Sequence, residues 1–157
     1  MTQERKVDKL QRVRQRAALY RSRSPKFASW AAGYGLIRHS DLTQTRVQKM
    51  AEQLYLEGHV ENPDDVLDYL YAADRIASAA MWLVAHMSYA RNVYLDGRPL
   101  DTEDFKTNPE GHMGGALNIA IAYTGYFAIN ALTGSTRSWL MGQGHCVAAI
   151  DSANLIM

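Results

Sequence analysis

Cysteine is almost missing from this chain. A single Cys146 in 157 residues excludes an intramolecular disulfide and a metal site built from several thiolates. It fits a reducing compartment, and the cytoplasm is the expected location. Net charge is also nearly absent. A formal charge of +1 gives no strong pull toward nucleic acid or toward acidic partners. No apolar run follows the opening Met-Thr-Gln-Glu-Arg-Lys, so no secretory signal is expected there. Charge disappears altogether from Met113 to Thr133. That length invites a transmembrane reading. Asn118, Thr124, Asn130 and the glycines of the run are expensive in lipid, and no basic cluster or interfacial Trp flanks its start. The expectation is a helix buried within a larger fold or subunit interface, with no membrane partner.

What is present reads as helices. In residues 3–21, Val7, Leu10, Val13, Ala17 and Tyr20 form a narrow stripe at helical spacing. Arg5, Lys6, Lys9, Arg12, Arg14, Arg16, Arg21, Arg23 and Lys26 stand against only Glu4 and Asp8. Such an arm can bind nucleic acid. The two acids interrupt it and aromatics are scarce, so a solvated face is the expectation. Ser24-Pro25 caps a second helix carrying Phe27, Trp30, Ala31 and Tyr34, ended by Gly33 and Gly35. A third spans about Leu42 to Leu56, with Asp41 as cap and Gly58 as stop. Asn62-Pro63-Asp64-Asp65 opens a fourth, which runs as far as Tyr94 with a break near Ala72–Ser78. Asp96-Gly97 is a turn, and Asp101 or Thr102 caps one helical turn through Phe105. Ser138–Met141 reads as the one strand.

Five histidines need assignment. His39 and His59 sit at loop edges without a Cys, Asp or Glu at metal-ligand spacing, so each reads as a surface or capping residue. His86 lies on an apolar stretch and reads as a hydrogen-bonded core histidine. The other two are flanked by glycine, in Gly111-His112-Met113-Gly114-Gly115 and in Gly142-Gln143-Gly144-His145. Glycine beside histidine lets backbone approach a ligand closely. A glycine-rich turn before a helix offers free N–H groups to an anion. The pattern reads as a phosphate or diphosphate site.

These motifs carry a resemblance. In order come Tyr94-Leu95, Arg98-Pro99-Leu100, Glu103-Asp104-Phe105-Lys106, Gly111-His112-Met113-Gly114, Leu117-Asn118 and Gly142-Gln143-Gly144-His145. Residues 82–145 resemble the N-terminal region of thiamine-diphosphate enzymes of the transketolase and phosphoketolase group, the phosphoketolase branch more closely. The resemblance implies a division into a helical extension, residues 1–60, and the beginning of a thiamine-diphosphate-binding domain, residues 61–157. The fold expected is mainly α as it stands, the N-terminal part of an α/β transketolase-like fold. The implied substrate is a ketose phosphate such as xylulose 5-phosphate. The implied cofactor is thiamine diphosphate with Mg²⁺, and the complete enzyme would be a homo-oligomer. His112 would lie near the reacting carbon and His145 at the diphosphate and substrate side. Gly111, Gly114 and Gly144 would allow close backbone approach.

The chain departs from that family in specific places. Cys146-Val147 follows the second histidine where phosphoketolases carry glycines, and Gly-Gly-Ala follows the first where they carry threonines. The family's Gly-Asp-Gly metal signature is missing, and no residue matches the activating Glu. No metal ligand is therefore assigned. The sequence reads as an N-terminal piece, inactive alone, of an enzyme for C–C cleavage of ketose phosphates. Sugar-phosphate epimerisation and a non-enzymatic helical interaction module are the alternatives. Cys146 reads as a small buried residue and not as a nucleophile.

Overall fold

The computed structural model describes the backbone of residues 2–94, 96–142 and 144–157, with side chains described from Asp8 onward. Leu95 and Gln143 of the motifs lie outside the described residues, as do the side chains of Glu4, Arg5, Lys6 and Val7. The described chain is mainly α-helical: α1 (Thr2–Arg23), α2 (Pro25–Ala31), α3 (Asp41–Leu56), α4 (Val66–Tyr89), α5 (Met113–Thr133) and α6 (Val147–Ile156). Its β structure is limited to an isolated antiparallel bridge between Ala90 and Phe105.

Local chemistry sets most helix ends. The Ser24 hydroxyl accepts from the Phe27 N–H at 3.0 Å and Pro25 opens α2. Asn62 accepts from the Asp64 N–H, and Asp65 accepts in return from the Asn62 N–H, both at 2.9 Å. This capping box starts the 3₁₀ turn Pro63–Asp65 that leads into α4. Gly58, at φ +76°, ends α3. Beyond it, His59 N–H reaches Leu54 O at 2.9 Å and Gly58 N–H reaches Tyr55 O at 3.1 Å. The cap of α3 is Ser40, which accepts from Thr43 N–H at 3.2 Å. Asp41 is the first helical residue instead, with its carboxylate on the positive end of the helix dipole.

Two expectations about α4 are corrected. The helix runs 24 residues without a break and stops at Tyr89, short of Tyr94. The small and polar side chains near 74–78 are a docking strip for the loop after α2. Leu36 N–H donates to Ser78 Oγ at 3.2 Å, His39 Nε2 lies 2.8 Å from Asp74 Oδ2, and the Arg75 guanidinium sits 5.3 Å over the Tyr34 ring. Gly35 holds φ +54°, and a Cβ there would collide with Ser78 Oγ, so the loop needs glycine at its point of closest approach.

Three apolar clusters hold the helices together. One is an alanine-rich seam of Ala80 and Val84 with Ala116, Ala120, Tyr123, Ala149 and Ala153, joining α4, α5 and α6. The second centres on Phe27, Trp30, Ala31 and Leu67, the third on Ala51, Leu54, Val66 and Leu132. The second and third cross residue 60. Helix α4 contributes to all three. Phe27 is fully buried, and a side chain of that size contributes about 1.5–3 kcal/mol.

The strand expected at Ser138–Met141 does not form. A strand must pair its N–H and C=O groups with a neighbour, and none is present among the described residues. Leu140 is 96% exposed, while Trp139 packs edge-on against Tyr123 and Tyr126 of α5. Helix α6 follows.

Candidate functional site

The C-terminal end of α4 positions the first glycine–histidine motif. After Tyr89 the chain leaves, turns, and returns to the same helix end. Lys106 N–H donates to Tyr89 O at 2.8 Å, Lys106 Nζ to Met87 O at 2.9 Å and Glu110 N–H to Ser88 O at 3.3 Å. The excursion is locked by a buried carboxylate. Asp104 accepts from Asn92 Nδ2 at 3.0 Å, from Tyr94 Oη at 2.7 Å and from Asp101 N–H at 2.9 Å. These bonds, that from Asn92 first, hold the Asp104 carboxyl below the usual aspartate range. The bond to Asp104 likewise holds the Tyr94 phenol above its usual value. Arg98 stacks on the Tyr94 ring at 3.6 Å. The returning segment delivers Gly111, at φ +103°, beside Ser88.

His112 is then the N-terminal boundary residue of α5, and no side chain caps the helix. The first bond of its ladder is Ala116 N–H to His112 O at 3.0 Å. The amides of Met113, Gly114 and Gly115 therefore stand outside that ladder, at the positive end of the dipole. From the far side of α5 the second motif arrives in the 3₁₀ turn Gly144–Cys146. The His145 ring meets the His112 ring edge to face, with centroids 4.6 Å apart. Both rings are exposed. Cys146 is buried, as expected, and faces Gly115.

The structure thus brings together the two histidines that the sequence singled out, along with Gly111 and Gly114. Gly114 and Gly144 have open space where a Cβ would stand, so the chain's own packing does not demand glycine at either. The glycine with a tight neighbour is Gly115, which the sequence reading left out. A Cβ there would stand 3.1 Å from Cys146 Sγ. Chemically, the arrangement sets two exposed imidazoles beside a helix end whose first three amides lie outside the helical ladder. Donors of this kind bind an anion, and an imidazole can pass a proton to or from a substrate oxygen. No group of three or more His, Cys, Asp or Glu able to hold a metal ion occurs among the described residues.

The other histidines divide. His59 is exposed, with Glu57 Oε2 at 3.7 Å, in keeping with a surface residue. His86 is hydrogen-bonded through Nδ1 to Trp82 O at 2.8 Å, but it is half-buried and not in the core. It forms one wall of a cavity of about 370 Å³ with Trp82, Tyr89, Leu100 and Phe105, which neither His112 nor His145 lines. His39 overturns its expectation as a surface or capping residue. Its side chain is 10% exposed, paired with Asp74 and stacked on Trp30 at 4.2 Å between centroids. The partner is 35 residues away, a separation that carries no sequence signal. No protein-family model, no curated protein and no solved structure matches the chain.

Proposed function

We propose that the chain forms part of a site for thiamine diphosphate and a ketose phosphate, in an enzyme of transketolase or phosphoketolase type. The observation that carries the reading is the meeting of His112 and His145 at 4.6 Å beside the open amino end of α5. Two motifs separated by a whole helix converge on one point, as a shared ligand would require. The uncapped amides and the open space at Gly114 and Gly144 suit a diphosphate. Mg²⁺ is different: the described residues assemble no ligand set for it, so no step is assigned to a metal here.

When bound, thiamine diphosphate supplies the electron sink that lets the bond beside a ketose carbonyl break. The residues of this chain bind and orient. The amides of Gly114 and Gly115 and the His145 ring donate to diphosphate oxygens. The His112 ring holds or moves a proton at a sugar oxygen. Residues beyond those described, or another subunit, must supply the metal ligands and the activating carboxylate.

The test is a titration of the chain with thiamine diphosphate and Mg²⁺, followed by NMR. Saturable shifts are expected at the Gly114 and Gly115 amides and at both imidazoles, and they should weaken about tenfold to a hundredfold in His145→Ala. Shifts that bypass all four positions, or an unchanged His145→Ala titration, would sink the reading.

A further inference from the structure

A different feature stands apart from the histidine pair. The groove between α1 and α3, a cavity of about 280 Å³, gathers Lys9, Arg12 and Arg16 from one helix and Arg46 and Lys49 from the other. Among the described residues, no acidic and no aromatic side chain lines it. Arg12 pairs with Asp8 at 2.7 Å, with both partners largely exposed. Among the described residues Lys9, Arg16, Arg46 and Lys49 make no ion pair. The two helices are tied together nearby, where Arg21 bonds Asp41 at 3.0 Å and also Gln44.

An ordinary solvated helix face disperses its charges or alternates their sign, because like charges one turn apart repel. Here five cations from two helices converge on one concavity, and the sequence alone could show only the three on α1 as an arm. Such convergence weakens the fold unless an anion offsets it. The dimensions say which anion. Lys9 to Arg16 spans seven residues, about 10 Å of helix. The cavity matches the small end of small-molecule sites. A nucleic-acid strand would also seek flat aromatic surfaces for its bases, and none lines the groove among the described residues.

We propose that the α1–α3 groove binds a compact ligand bearing several adjacent phosphate groups. Recognition is by guanidinium and ammonium contacts to phosphate oxygens, with nothing left over to read a base. The site is independent of the histidine pair, and neither assignment needs the other.

Calorimetric titration of the whole chain with inorganic tripolyphosphate, in magnesium-free buffer at about 50 and 200 mM salt, tests this. Saturable binding is expected, with a component weakened about tenfold for each guanidinium lost in Arg16→Gln and Arg46→Gln; any component at the histidine pair is the one those variants leave in place. Both arginines are exposed, so the variants should keep their helical circular dichroism; Lys9→Gln with Lys49→Gln provides a second pair. A single-stranded oligonucleotide should bind more weakly than tripolyphosphate at equal salt. Tighter oligonucleotide binding would overturn the proposal in favour of nucleic acid. Absent tripolyphosphate binding, or binding untouched by both variant pairs, would overturn it outright.

Discussion

Gly115 and Cys146 touch because the glycine has no side chain: a Cβ on Gly115 would stand 3.1 Å from the buried sulfur. That contact seats the second histidine motif on the first turn of α5. Adjacent glycines should therefore answer differently to the same change. Gly114→Ala meets no atom within 4 Å and should stabilise by up to about 1 kcal/mol, the gain of alanine over glycine in a helix. Gly115→Ala should forfeit that gain and cost about 1–3 kcal/mol through overpacking. Adding Cys146→Ala to Gly115→Ala should recover part of the loss. Thermal melts of the four proteins check this, and equal effects of the two glycine substitutions would show that the contact is slack.

His39→Ala should be destabilising. It removes a stacking partner from Trp30 and leaves Asp74, 13% exposed, without its donor. The expected cost is about 1–3 kcal/mol, or roughly 3–10 °C in Tm for a chain of this size. His59→Ala, at an exposed position, should stay within about 0.5 kcal/mol of wild type. Equal melting of the two variants would mean that the buried pair contributes nothing net.

Asp104 should govern the acid side of the stability profile. Its folded-state pKa is lowered, so its contribution is present above the ordinary aspartate value and lost as pH falls through the folded one. Tyr94 is raised, so its contribution holds below the ordinary tyrosine value and disappears as pH rises through the folded one. Asp104→Asn should lower Tm near neutrality, and the gap from wild type should narrow as pH falls below the ordinary aspartate value and through the lower folded one. A gap that is constant with pH would contradict the linkage.

The chain by itself should not turn over xylulose 5-phosphate with thiamine diphosphate and Mg²⁺. No metal-holding cluster exists among the described residues, and the activating carboxylate has no counterpart in the sequence. Cofactor-dependent turnover would show that the chain assembles its own metal site, contrary to the division of labour proposed above.

How far the sequence carries can be judged from particular residues. Local signals read well. Ser24-Pro25 and Asn62-Pro63 mark true helix starts, Gly58 a true stop, and the charge-free run coincides with α5. Each depends on neighbours within four residues. Apart from the α3 cap, which is Ser40 and not Asp41, the failures are long-range. Ser138–Met141 has the side chains of a strand but no second strand to pair with, and Trp139 settles on α5. The supposed break in α4 is a strip where a distant loop docks. His39 found Asp74 across 35 residues. Helix α6 passed unnoticed because its alanines are ordinary until they meet Ala80 and Ala116 in one seam.

Self-association is the expectation for α5. The helix is long and apolar enough, by length and composition, to cross a membrane, and 33% of its most apolar window is buried in this fold. Ile121 is 46% exposed, with Leu140 at 96% and Leu155 at 74% elsewhere on the chain. Apolar surface of this kind drives oligomerisation. Light scattering should show species larger than a monomer at high concentration, diminished by Ile121→Glu. A clean monomer in wild type would count against it.

Because α4 enters all three apolar clusters, the chain has no half that can let go without disturbing it. Backbone amides near Ala77 and Ala80 should exchange with deuterium only when the whole structure opens, and should report the global unfolding free energy. The first turns of α1, which carry exposed Leu10 and no part of the seam, should exchange orders of magnitude sooner. A map of exchange rates would then trace α4 as the slowest continuous segment. Both the histidine pair and the basic groove would lie on faster-moving ground around it, able to adjust to a ligand while the axis of the molecule stays shut.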